Sequence, residues 1–153
     1  MPRRPPVALA LVALLGLCGC AAEPPHASGT DAPVKAVDGL STSTLIACRA
    51  FKLGVPKQIT PGAEQRPASP LSDTTTAWGT PAITSRCGVG PGSALDDLYT
   101  FNDVQWAMHD NGSSRLWTTL GRKVNVVIEV PDAYSSQAEL IGRLAAAVKH
   151  DLR

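Results

Sequence analysis

Val104-Gln105-Trp106-Ala107-Met108-His109-Asp110-Asn111-Gly112-Ser113-Ser114-Arg115-Leu116-Trp117-Thr118-Thr119-Leu120-Gly121-Arg122-Lys123-Val124-Asn125-Val126-Val127-Ile128-Glu129-Val130 decides the fold, because alternation runs through it and breaks at Asn111-Gly112 and Gly121-Arg122. Successive side chains of a strand point to opposite faces, so alternation of this kind marks strands with two different environments. Val104, Trp106 and Met108 fall on one side of a strand read from residue 101 to residue 108. Asn111-Gly112 supplies two residues tolerant of positive φ, which predicts a hairpin between Met108 and Arg115. Leu116, Thr118 and Leu120 alternate with Arg115, Trp117 and Thr119, and a turn at Gly121-Arg122 leads into Val124, Val126, Ile128 and Val130. Upstream, Pro81 opens residues 82–89, where Ile83, Ser85, Cys87 and Val89 share a face. Four antiparallel strands in meander order are predicted.

Two helices flank them. Pro131 stops the last strand, and Ser136-Gln137-Ala138-Glu139 has the capping-box pattern that opens a C-terminal helix. Leu140, Ile141, Leu144, Val148 and Leu152 form a broad apolar stripe on it, and the face carrying Val124, Val126, Ile128 and Val130 is its partner. Toward the N-terminus, Ser41 or Thr42 caps a helix with Leu45, Cys48 and Phe51 on one face, ended by Gly54 and Pro56. Residues 55–77 carry Pro56, Pro61, Pro67 and Pro70 and read as a long irregular crossover. The expected fold class is α+β: a two-layer sandwich in which a four-stranded antiparallel meander is covered on one face by an N-terminal and a C-terminal helix. Residues 40–153 make one globular domain, long enough for a single core.

The first forty residues differ in kind. Arg3 and Arg4 precede an apolar run over residues 7–17, which ends in Leu17-Cys18-Gly19-Cys20. A basic start, a short apolar core and small residues before a cysteine are the pattern of a lipoprotein signal peptide, residues 1–19, with Cys20 the residue that carries the lipid. The run is too short for a transmembrane helix, which needs about 20 apolar residues. Cys20-Ala21-Ala22 also passes as a small-x-small site for ordinary cleavage after Ala22, the rival to lipidation, and Pro5-Pro6 after the arginines favour an ordinary basic start over a twin-arginine signal. Residues 20–39 then read as the lipidated cysteine and a flexible tether rich in Ala, Pro, Ser, Thr and Gly, reaching about 24 Å in root-mean-square terms. The expected location is the outer face of the cytoplasmic membrane, held by the lipid, since two or three acyl chains suffice for stable anchoring.

Of the four cysteines, Cys18 leaves with the signal and Cys20 is acylated, so Cys48 and Cys87 are left to form one disulfide outside the cytoplasm. Neither has a Cys or His at metal-ligand spacing, and His26, His109 and His150 are scattered, so no metal or other cofactor is expected. With Arg3 and Arg4 gone, the 14 basic residues fall by two against 13 acids, and the net charge moves from +1 to about −1. The remaining Lys and Arg are dispersed, which argues against nucleic acid or an electrostatic membrane surface as the main partner and leaves membrane attachment to the lipid.

Five segments in order carry a family resemblance: Trp78-Gly79-Thr80-Pro81-Ala82-Ile83, Arg86-Cys87-Gly88-Val89, Asp103-Val104-Gln105-Trp106, Thr118-Thr119-Leu120-Gly121-Arg122 and Val127-Ile128-Glu129-Val130-Pro131. Over roughly residues 40–152 the chain resembles the actinobacterial lipoprotein family catalogued as domain of unknown function 3515. It departs where that family tends to have Asn-Gly-Val, since here the sequence is Asn102-Asp103-Val104. The resemblance implies an exported, lipid-anchored envelope protein and no established activity. Nine Arg against five Lys agree with a GC-rich genome.

Candidate contacts for a ligand or partner are Trp78, Arg86, Trp106, Trp117 and Arg122. The tryptophans offer either a flat groove lining or ordinary core packing. Arg86, opposite in phase to Cys87, faces away from the helices, and both arginines suit an anionic ligand or a solvated ion pair. Asp96-Asp97 read as turn acids without the further oxygens a calcium site requires. Asn111-Gly112-Ser113 matches a glycosylation sequon that the hairpin already explains. No Gly-x-Ser-x-Gly, His-Glu-x-x-His, phosphate loop or Ser-x-x-Lys occurs, so no catalytic residue is assigned. The expected function is a non-catalytic binding or assembly module that uses the exposed sheet face or an edge strand to hold an envelope protein, a peptide or a glycan. The alternative is a small-ligand or lipid carrier, with a cavity beside Trp106, Leu116 or Ile128.

Overall fold

The structure is a computed structural model and describes residues 31–152. The segments read as signal peptide and tether, with Cys20, lie outside the described residues as far as residue 30. Those described form ten strands and two helices. Eight of the strands make one antiparallel sheet and the other two a small parallel pair.

In chain order the elements are β1 (Ala32–Pro33), α1 (Thr42–Gly54), β2 (Gln58–Thr60), β3 (Ala63–Arg66), β4 (Ala68–Ser69), β5 (Thr75–Trp78), β6 (Ile83–Val89), β7 (Asp97–Phe101), β8 (Val104–Asp110), β9 (Ser114–Leu120), β10 (Asn125–Pro131) and α2 (Gln137–Asp151). The α+β class stands as expected, but four strands undercount the sheet, whose order is β2-β3-β5-β6-β10-β9-β8-β7. The segment over residues 55–77, read as irregular, supplies three of its strands. They are only three or four residues long, and prolines separate them: Pro61-Gly62, with Gly62 at φ +79°, turns β2 into β3. The strand order also corrects the simple meander. β7 to β10 follow one another, but β6 pairs with β10, Cys87 opposite Val126, and not with the strand that follows it in sequence.

That pairing forces a long crossing. Residues 90–96 must pass β10, β9 and β8 to reach β7, and they do so on the face without helices. There Gly92 donates its amide to the Thr119 carbonyl at 3.1 Å. A Cβ on Gly92 would stand 2.6 Å from the Ala107 Cβ and 3.0 Å from the Thr118 carbonyl oxygen, so the chain passes in direct contact with the sheet.

Both helices lie on the other face. Ser41 caps α1 by accepting from the Thr44 amide at 3.2 Å. Cys48 and Phe51 are buried as expected, whereas Leu45 is exposed. The bond from Cys48 to Cys87 of β6 sets the inward line of α1 along Cys48, Phe51 and Val55, which rotates Leu45 outward. On α2 the whole predicted stripe of Leu140, Ile141, Leu144, Val148 and Leu152 is buried, against a sheet face that includes Val126, Ile128 and Val130. The expected capping box does not form. Ser136 makes no side-chain cap bond, and Glu139 pairs instead with Arg143 at 2.7 Å.

Part of the segment read as tether, from Ala32 onward, joins the fold. Ala32 donates its amide to the Pro67 carbonyl at 3.0 Å and Val34 to that of Ser69 at 2.8 Å, which lays β1 alongside β4. Ala32, Val34, Ala68 and Ala77 then form a small second core. The folded unit therefore begins by Ala32, eight residues before the expected boundary at Leu40.

Candidate functional site

β7 is one of the two edge strands of the large sheet, with β2 at the other end, and is paired with β8 on one side only. A two-residue turn at Asn102-Asp103 makes it. Both residues take positive φ, +50° and +61°, the pair of values a tight hairpin between right-twisted strands needs. Asp103 occupies the place where the resembling family tends to have glycine, and the backbone holds the glycine-like conformation because the tip is tied down. Asn102 Nδ2 donates to the Gly142 carbonyl of α2 at 2.9 Å, and Arg122 Nη2 donates to the Asp103 carbonyl at 3.1 Å. Lys149 Nζ of α2 lies 2.6 Å from Asp103 Oδ2. Hydrogen bonding to Lys149, with its charge, holds the Asp103 carboxyl below the usual carboxylate range.

The register decides which backbone groups of β7 are free. Phe101 closes the turn opposite Val104, Tyr99 faces Trp106 and Asp97 faces Met108. In an antiparallel ladder, the pair closing a two-residue turn exchanges hydrogen bonds and every second pair beyond it does the same. The amides and carbonyls of Leu98 and Thr100 therefore point outward, away from β8. Their neighbours are apolar: Leu98 is 51% and Tyr99 39% exposed. Tyr99 stacks on Phe101, rings 6.2 Å apart and 3° from parallel, and tilts against buried Trp117 at 5.1 Å. Thr100, Phe101 and Asn102 face Ala138, Gly142 and Arg143 of α2 across an open groove beside the strand. The arrangement combines an unpaired row of donors and acceptors, aromatic support and a flanking groove.

The five residues singled out from sequence do not converge. Trp78, Trp106 and Trp117 are all buried, which places them in the core and not along a groove. Trp78 Nε1 donates to the Pro56 carbonyl at 2.9 Å and Trp117 Nε1 to Gln137 Oε1 at 3.2 Å. Trp106 Nε1 is buried without a partner. They line the face under the helices because their strand phase matches that of the buried valines and isoleucines. Arg86 does face away from the helices, half-buried opposite Val127 and Thr75. Among the described residues it has no carboxylate partner. Arg122 serves the hairpin tip. The cavity sought beside Trp106, Leu116 or Ile128 is not among the main concavities of the described surface, and Trp106 and Ile128 are fully packed.

Cys48 and Cys87 are bonded, their Cα atoms 5.5 Å apart. His109 Nδ1 lies 3.2 Å from Asp96 Oδ1, and His150 pairs with Asp151, but among the described residues no hydroxyl bonds either imidazole. No three His, Cys, Asp or Glu side chains of the described residues come together as a metal set. No described helix is long and apolar enough to cross a membrane. The sequence reading missed Leu98, Tyr99 and Thr100, although Asp97-Leu98-Tyr99-Thr100-Phe101 followed by Asn102-Asp103 carries the signal of a short strand entering a tight turn.

Compared with known proteins, the chain matches over residues 7–153 a family model described as a protein of unknown function, DUF3515. No curated protein and no solved structure matches it.

Proposed function

The chain belongs to the DUF3515 family, and from that footing we propose that it is an exported, non-catalytic binding module, anchored by lipid on Cys20 at the outer face of the cytoplasmic membrane, which holds an extended segment of a partner envelope protein along β7. The observation that carries the reading is the free edge: Leu98 and Thr100 present unpaired amides and carbonyls beside exposed Leu98 and Tyr99. Natural sheets blunt such edges with charge, proline or covering chain, because a bare edge pairs with any compatible strand. β7 has a single acid, Asp97, and no proline. An added strand would satisfy the outward groups and bury apolar side chains, the mode in which main-chain bonds give affinity and alternate side chains give specificity.

The anchor is supported by the residue pattern around Cys20. The disulfide between Cys48 and Cys87 agrees with an oxidising compartment.

Thr100→Pro tests the edge. The Thr100 amide points outward, so proline removes a donor that only an added strand uses and leaves the ladder to β8 intact. A photo-crosslinking residue at Leu98 in the full-length lipidated chain, read by mass spectrometry of the products from membranes, gives the assay. Adducts to one protein that vanish with Thr100→Pro support the reading. Absence of adducts, or adducts indifferent to that substitution, refutes it. The mass of the N-terminal peptide, compared with a Cys20→Ala form, separately settles the anchor.

A further inference from the structure

We propose that the outer side of α1 and the adjoining β3–β4 end of the sheet form a membrane-resting face, in contact with anionic lipid headgroups and the upper acyl region, which turns the β7 edge away from the bilayer. This rests on the lipid anchor proposed above.

Helical spacing is the first argument. Ile46, Ala50 and Leu53 stand at i, i+4 and i+7, on the side of α1 opposite Cys48 and Phe51. Ile46 is 66% and Leu53 71% exposed, although the helix already buries its other side in the core. Leu71, 85% exposed, lines with Leu53 a groove whose floor includes Pro67 and Ala68. Large aliphatic side chains gathered on one outer surface mark a contact with something apolar.

The charges around these side chains indicate what that contact is. Arg49, Lys52 and Lys57 flank them, and among the described residues none has a carboxylate within ion-pair distance. Lys52 Nζ donates to the Ser72 carbonyl at 2.6 Å and Lys57 Nζ to Gln65 Oε1 at 2.8 Å, so both ammonium groups are held at this end of the molecule. The nearby acids are Asp73; Glu64, bonded to Gln58 Nε2 at 2.7 Å; and Asp151, whose carboxylate lies against Gly54 beside Leu53 and is paired with His150. Apolar side chains with cations at their border are the composition of a helix lying in a lipid interface, where long basic side chains lay their stems on apolar surface and keep their charge at the headgroups.

The path of the chain selects the same end. β1 joins the fold at β4, with the Ala32 amide on the Pro67 carbonyl, beside the groove that Leu53 and Leu71 line. Ala32 follows Cys20 by twelve positions, and whatever the conformation of the chain between them those twelve steps span at most about 43 Å. A lipid on Cys20 thus tethers the domain from the side where the aliphatic and basic residues stand. β7 lies six strand intervals from β3 in the sheet, about 29 Å at the usual spacing.

The test uses the full-length lipidated protein, its acyl mass confirmed, reconstituted into vesicles of phosphatidylcholine and phosphatidylglycerol with lipids brominated near the headgroup end of the chain. An environment-sensitive fluorophore is attached through Leu53→Cys, Leu71→Cys or, as the distant control, Leu98→Cys. Blue-shifted emission and loss of fluorescence to bromine at positions 53 and 71, with neither at 98, is the expected result. Equal behaviour at all three positions, or unquenched probes at 53 and 71 on a chain that carries its lipid, overturns the membrane face and leaves the anchor standing. A chain purified from membranes without acyl mass on Cys20 overturns the anchor and the membrane face with it.

Discussion

Breaking the Cys48–Cys87 bond removes a cross-link between residues 39 positions apart in the chain, from the middle of α1 to β6 at the centre of the sheet. Closing a loop of this size costs the unfolded chain about 13 cal/mol/K of entropy, so its loss destabilises the fold by about 4 kcal/mol at 25 °C. A domain of about 120 residues unfolds with roughly 0.25 kcal/mol/K of entropy near its midpoint, and 4 kcal/mol therefore corresponds to a fall of about 15 °C in Tm. Both sulfurs are buried, so reductant added to the folded protein reaches them only through opening. The experiment should reduce in denaturant and refold under reducing conditions, then follow unfolding by calorimetry and circular dichroism. Cys48→Ala with Cys87→Ala provides a reductant-free version and should fall at least as far, since the vacated sulfur volume adds a packing loss. A midpoint lowered by less than about 4 °C in both experiments would refute the reasoning. It would mean that packing alone seats α1 on β6, and that the exposure of Leu45 needs another cause than the cross-link.

Leu144→Ala should destabilise by about 2–5 kcal/mol in denaturant unfolding, since Leu144 is fully buried between α2 and the sheet; a loss below about 1 kcal/mol would detach α2 from that face. Gly92→Ala should cost about 1–3 kcal/mol, because the added methyl meets Ala107 and the Thr118 carbonyl; an unchanged midpoint would show that residues 90–96 do not press on the sheet. Asp103 titrates below the usual carboxylate value because Lys149 stabilises its charge, so its contribution to stability is present above the unfolded-state pKa and is lost as pH falls through the lower folded-state value. Lys149→Gln should return the carboxyl to the ordinary range in an NMR titration, and a carboxyl that stays low would assign the shift to the turn itself.

The elements read well from sequence are those in which one physical signal dominated. Leu140, Ile141, Leu144, Val148 and Leu152 repeat at helical spacing and are all buried, and Ile83, Ser85 and Cys87 alternate and lie inward together. The lone pair Cys48 and Cys87 left one connection open, and that connection is made. Failure came where signals competed. Prolines at 56, 61, 67 and 70 argued for irregular chain, yet each stands outside the short strands β2, β3, β4 and β5, whose hydrogen bonds are made by the residues between. The tryptophans were open to two roles because an indole suits a groove and a core equally, and only their cross-strand partners distinguish the two. Trp117 stands opposite Ile128, which stands opposite Ser85, all on the face the helices cover. Pairing order was out of reach for a different reason: whether β6 meets β10 or β8 depends on contacts distant in sequence, which alternation cannot rank.

The candidate edge was legible in principle, through parity. Tyr99 and Phe101 face the helix side at odd positions, while Val104, Trp106 and Met108 face it at even ones. A continuous strand keeps its parity, because side chains alternate with a period of two. An apolar pattern that changes from odd to even between residues 101 and 104 therefore breaks the regular strand read over residues 101–108, and the positive φ of Asn102 and Asp103 makes that break a two-residue turn. The same change of parity separates β8 from β9, where buried Trp117 and Thr119 are odd, and β9 from β10, where buried Val126, Ile128 and Val130 are even again. Each even-length connection reverses the phase. Once the turn at Asn102-Asp103 is admitted, residues 97–101 become a strand in their own right. With residues 90–96 committed to crossing the sheet, nothing else among the described residues pairs with the far side of that strand. The departure from the glycine-containing family pattern at Asp103 thus falls on the turn that creates the free edge, with Lys149 and Arg122 supplying the restraint on a non-glycine residue held at positive φ.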